Sequence, residues 1–151
     1  MSGNLELSVD RLIAASPAAV WAVMTTRLTE WFCPAPWRAE VIEQDWRAGG
    51  RSAMTFHGPA GEAMREEGVI LEVVEGRRWI ATDAFTAGWQ PREAFATMVF
   101  EVEPDGDGAR YRVTARHWTS EALEKHRATG FVEGCGIAAD QLKTLCEGAG
   151  A

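Results

Sequence analysis

Between Leu5 and Ile13, apolar and polar side chains alternate: Leu5, Leu7, Val9 and Ile13 fall on one side, Glu6, Ser8 and Asp10 on the other. A period of two predicts a strand with one buried face. Ser16 and Pro17 then open a helix that runs to about Met24. Serine supplies an oxygen for the free N–H groups of the first turn, and proline lacks an N–H where none is needed. A second apolar piece, from Leu28 through Trp31 and Phe32, predicts another short helix, broken by Pro34 and Pro36. The glycine pair Gly49 and Gly50 precedes the return of the strand pattern.

From Arg51 onward the turns are well marked. Gly58, Pro59, Ala60 and Gly61 split a hairpin between Arg51–His57 and Met64–Val74, and Glu75 with Gly76 separates the next pair. The run from Pro104 to Gly108 joins Ala94–Glu103 to Ala109–His117, while Thr86–Pro91 reads as a longer connection. Successive hairpins imply an antiparallel sheet. The last third turns helical: Thr119 or Ser120 caps a helix from Glu121, and Gly130 marks a break. Phe131, Cys135, Ala138, Leu142 and Leu145 then recur at spacings of four, three, four and three, an apolar helical stripe. The expected class is α+β: a curved antiparallel sheet wrapped around a long C-terminal helix, with two short helices after the first strand.

A length of 151 residues suits a single domain over 1–151 with a sizeable core. The net charge of −7 argues against a nucleic-acid surface, which needs a basic face. No stretch is long and apolar enough to span a bilayer, and the N-terminus has no basic and apolar signal regions. Three cysteines, Cys33, Cys135 and Cys146, cannot all pair, which points to reduced thiols in the cytoplasm. Cys135, on the helix stripe, is expected to be buried. His57, His117 and His126 have no metal-ligand spacing, no phosphate loop is visible, and no nucleophile–base set can be found, so neither metal nor cofactor is expected.

Reading the strands face by face gathers an interior rich in aromatics and methionine. Phe56 shares a face with Met54, Trp79 with Phe85, Met98 with Phe100, and Tyr111 with Val113 and His117. Trp31, Phe32 and Trp37 join them from the small helices and their loop, and Trp89 from the connection after Phe85. These side chains either fill a core or line a pocket. Seven tryptophans favour the pocket, because each presents a broad apolar face and one donor. Trp31, Trp37, Trp79 and Trp89 are expected at its entrance, Phe131 and Gly134 beneath the helix, and His117 and Tyr111 as polar anchors. Gly134 sits where a side chain would fill the cavity. Asp83 reads either as a buried acid or as the point where its strand leaves the core, the second being favoured. Arg11 interrupts the inward face of the first strand and calls for an ion pair with a strand acid.

The order of these motifs resembles the START-like superfamily (SRPBCC, Bet v 1-like), and within it the bacterial branch related to the activator of the heat-shock-protein ATPase. The resemblance rests on Arg11 and Ile13, Ser16 and Pro17, Val20 and Trp21, Trp31 and Phe32, Gly49 and Gly50, the strand from Gly68 to Val73, and Gly136 with Leu142 and Leu145. Ile137 stands where the family usually has tryptophan. The resemblance implies a helix-grip fold whose space between sheet and helix often holds a small apolar molecule. It also implies two alternatives: a cyclase, aromatase or dehydratase working in the same pocket, and a co-chaperone acting on a heat-shock ATPase in the stress response. The activator itself has an additional N-terminal domain without counterpart in these residues. A homodimer is a further open alternative, and an apolar outer sheet face would favour the co-chaperone.

Overall fold

The computed structural model describes residues 5–149. Strand β1 (Glu6–Ile13) leads into helices α1 (Pro17–Thr26) and α2 (Leu28–Trp31). Strands β2 (Arg38–Gln44), β3 (Arg51–His57), β4 (Ala63–Val74) and β5 (Arg78–Thr82) follow. A two-residue pair, β6 (Phe85–Thr86) and β7 (Gln90–Pro91), precedes β8 (Ala96–Asp105) and β9 (Gly108–His117). Helices α3 (Ser120–Ala128) and α4 (Phe131–Ala149) end the chain. The main sheet has seven strands in the order β1-β9-β8-β5-β4-β3-β2, with every neighbour antiparallel. The α+β helix-grip architecture is therefore the one the pattern implies.

Local chemistry explains the boundaries. Ser16 Oγ accepts from the Ala19 N–H at 3.1 Å, with Pro17 as first helical residue. Thr119, not Ser120, caps α3, its hydroxyl accepting from Ala122 N–H at 3.0 Å. Gly130 sits at φ +88°, a left-handed conformation that lets the chain turn between α3 and α4.

Two elements depart from the expectation. Strand β2 was not expected from the sequence, because a register shift between Val41 and Glu43 breaks its alternation and leaves Ile42 exposed. The connection Thr86–Pro91 carries the small β6–β7 pair.

Helix α4 crosses the concave face of the sheet. Ala138, Ala139, Leu142 and Cys146 pack into one core with Val9, Ile13, Val20, Met24, Leu28 and Trp31. Its polar edge is fastened to β1: Arg11 Nε donates to Asp140 at 2.7 Å, and Lys143 Nζ to the Leu12 carbonyl at 3.0 Å. Arg11 thus pairs with a helix acid rather than a strand acid. The reason is that β1 is an edge strand, over which the guanidinium reaches to α4. Gly136 makes room for it, since a Cβ there would lie 3.1 Å from Arg11 Nη2.

Candidate functional site

Between the sheet and α4 lies a cavity of about 320 Å³. The short helix α2 and the loop after it supply Trp31, Phe32, Cys33, Pro34 and Trp37. The sheet supplies Phe56, Met64, Met98, Phe100, Tyr111 and Val113, and α4 supplies Cys135 and Ala138. Strand alternation puts the sheet residues on one face: Phe56 is directly opposite Met64, and Phe100 opposite Val113. Aromatic packing stiffens the wall, with Trp31 edge-on to Tyr111 at 5.7 Å and Phe32 tilted against Phe100 at 5.4 Å, ring centre to ring centre.

The wall carries three groups able to exchange a proton. Burial lifts the Tyr111 phenol well above its ordinary value, with the nearby Cys135 adding to the shift. Burial likewise pushes the Cys135 thiol up to about 12 and raises Cys33. All three cysteines are free; Cys146 is the buried one, while Cys135 is only half-buried because it faces the cavity.

Of the residues expected at the site, Trp31, Phe32, Trp37, Phe56, Met98, Phe100 and Tyr111 line this cavity. The others lie elsewhere. Trp79 is not at an entrance: it is 1% exposed and packed among Phe100, Trp46 and Trp21, filling the adjacent core. Trp89 is 52% exposed on the turn between β6 and β7, at φ +62°, next to Phe85 and over Gly49. That turn carries Phe85 and Trp89 away from the cavity. A Cβ on Gly134 would meet only Pro34 Cγ, at 3.8 Å, so Gly134 adjoins a wall residue without being one.

His117 and Phe131 belong to the neighbouring cluster at the end of β9. His117 cannot serve as an anchor, because both its ring nitrogens are engaged: Nδ1 with the Leu5 carbonyl at 3.1 Å and Nε2 with His126 Nδ1 at 2.8 Å. The His126 ring lies 4.3 Å from Phe131 and 4.9 Å from Phe95. Asp83 has left the sheet core, as favoured: its Oδ1 accepts from the Phe95 and Ala96 N–H groups at 2.8 and 3.2 Å.

Sequence reasoning missed six wall residues, Cys33, Pro34, Met64, Val113, Cys135 and Ala138, although the last three lie on faces it places inward. Met64 was detectable, being two positions before Glu66 on a strand whose partner, Phe56, was already placed inward. Cys33 and Pro34 sit in an aperiodic loop that carries no such signal.

The outer face of the sheet is mostly charged. Arg51 and Arg65 pair with Glu67, Arg78 with Glu72, Arg112 with Asp10 and Arg116 with Glu6. Among the described residues no cluster of three or more His, Cys, Asp or Glu is placed to hold a metal ion, and no helix is long and apolar enough to cross a membrane.

A curved antiparallel sheet that grips a long terminal helix over an apolar cavity defines a START-like, helix-grip protein. Residues 14–147 match the family described as "Activator of Hsp90 ATPase homolog 1-like protein", and the chain belongs to it. Among solved structures it is similar to the crystal structure of a protein from Nitrosomonas europaea, at 31% identity over 99% of both chains with a TM-score of 0.88. A protein from Mycobacterium smegmatis shares the fold at 24% identity, over 93% of this chain and 90% of that one, with a TM-score of 0.78. So does one from Arthrobacter aurescens, at 20% identity over 94% and 86%, with a TM-score of 0.80. No curated protein matches the chain.

Proposed function

We propose that this protein binds a small, largely apolar molecule between its sheet and α4. The observation that supports this is the cavity itself: about 320 Å³, walled by aromatic, aliphatic and sulfur-bearing side chains. Interiors are ordinarily packed without voids of that size. An apolar wall with few polar groups is the usual form of a small-molecule site. Burial moves Tyr111, Cys33 and Cys135 further above neutrality, away from the range a general acid or base needs, which suits holding a ligand better than acid–base turnover. The ion-paired outer face gives the co-chaperone alternative no support.

The test is to fill the space. Ala138 is buried on α4 and lines the cavity, so Ala138→Phe directs a ring into it. N-phenyl-1-naphthylamine should bind the parent protein, with enhanced probe fluorescence and a raised Tm, because a ligand that binds only the native state stabilises it. Ala138→Phe should keep its own Tm and lose the probe response. If the variant binds the probe as before, or loses the ~1–3 kcal/mol typical of an overpacked core, the reading fails.

A further inference from the structure

Tyr111 is 2% exposed and lines the cavity, yet among the described residues its hydroxyl has no hydrogen-bond partner. Buried hydroxyls are almost always paired, because an unmade hydrogen bond in an apolar setting is costly. Cys135, itself a wall residue on α4, acts electrostatically on the phenol, which sets the hydroxyl end toward the α4 side of the cavity. The ring is held edge-on by Trp31, whose own Nε1 donates to the Met24 carbonyl at 3.3 Å and so does not compete for the hydroxyl. The result is a fixed, neutral O–H donor in an otherwise apolar wall.

The charges nearby bear on what it can meet. The cavity wall holds no lysine or arginine. A carboxylate ligand would find no cation in the wall to offset the loss of its hydration.

We propose that Tyr111 selects the ligand: a neutral apolar molecule carrying one hydrogen-bond acceptor, of the ketone or aldehyde type, that receives the Tyr111 O–H at the inner end of the cavity. This rests on the ligand-binding reading above. It makes Tyr111 a specificity residue and excludes fatty acids and other apolar anions as preferred ligands.

Three probes of similar shape separate the possibilities: 2-acetylnaphthalene, 2-ethylnaphthalene and 2-naphthoate, titrated at pH 7.5 against the parent protein and Tyr111→Phe. The ketone should bind the parent about three- to tenfold more tightly than the ethyl compound, the range one net hydrogen bond supplies. Naphthoate should bind most weakly. Tyr111→Phe should erase the ketone's advantage while leaving 2-ethylnaphthalene within about twofold, since the ring that forms the wall is kept. Its own Tm should hold or rise, because the substitution removes an unpaired buried hydroxyl. The carbonyl stretch of bound ketone should move to lower frequency in the parent protein, a readout that does not depend on the variant folding. Equal affinities for ketone and ethyl compound, an advantage that survives Tyr111→Phe, an unshifted carbonyl band, or tightest binding of naphthoate would each overturn the proposal and leave the cavity's role standing. Failure of all three probes to bind would overturn both.

Discussion

His117 and His126 meet ring to ring, Nε2 to Nδ1, at 2.8 Å. The Leu5 carbonyl can only accept, so His117 Nδ1 carries the proton; with both rings neutral, His117 Nε2 then accepts from His126 Nδ1–H. Burial, with the charge His117 can carry, lowers the His126 pKa from 6.5 to about 4, and Asp83 opposes only part of that. The sign follows from proton uptake. Between pH 6.5 and about 4 the unfolded chain takes up a proton at this position while the folded chain does not, so stability falls as pH drops through that window. Above the window nothing is lost, and below it the loss is complete. Because the ring is partly exposed, the loss should be about 1–2 kcal/mol rather than the full value of the shift. Urea midpoints at pH 7 and pH 4 measure it, and His126→Phe should flatten the difference. Six of the seven expected wall residues were legible because strand alternation and the second short helix with its C-cap fix their direction; Trp37, in the loop before β2, was placed inward only as a large apolar side chain. The histidine pair was not, because its members lie nine positions apart across a strand-to-helix turn and no periodicity links them. Trp89 misled for a related reason: being apolar says nothing about which way a turn will carry a side chain.

At the level of elements, the glycines around α4 divide by backbone conformation. Gly130, at φ +88°, belongs to the turn, and Gly130→Ala should cost about 1 kcal/mol. Gly134 lies within the helix, where a methyl group would meet Pro34 Cγ at an ordinary 3.8 Å, so Gly134→Ala should add about 0.5–1 kcal/mol from helix propensity alone. Opposite shifts in Tm from two substitutions four residues apart would confirm the boundary; shifts of the same sign would contradict it. The helix itself was legible from its stripe, and the hairpins from their turns. Strand β2 was hidden by its bulge, since a single extra residue turns a two-residue period into none.

For the molecule as a whole, the concave face is divided between packed and open space. Trp21 and Trp46 meet Trp79 edge-on and Phe100 stacks on it at 4.5 Å, filling the core at one end, while the neighbouring volume is left open. At about 24 cal/mol per Å³, a sealed and empty void of 320 Å³ would cost roughly 7–8 kcal/mol, comparable with the whole stability of a domain this size. That cost is an upper limit for a cavity with a mouth, and it is the reason an occupant should raise the Tm. Which side chains of β8 and β9 point inward was legible from the sequence. Whether they meet across the gap was not, because alternation gives direction but not the separation between sheet and helix.

The rim of that mouth includes Met64, 52% exposed and paired across the strands with Phe56. A thioether open to solvent is the first place in this wall that peroxide can reach, ahead of the less exposed Met98. Adding one oxygen turns a soft apolar part of the wall into a polar, chiral one. Mild peroxide should therefore lower N-phenyl-1-naphthylamine affinity in step with Met64 sulfoxide measured by mass spectrometry, and Met64→Leu should hold its affinity through the same treatment. Methionine sulfoxide reductases of both epimer specificities should return the oxidised protein to its starting probe affinity.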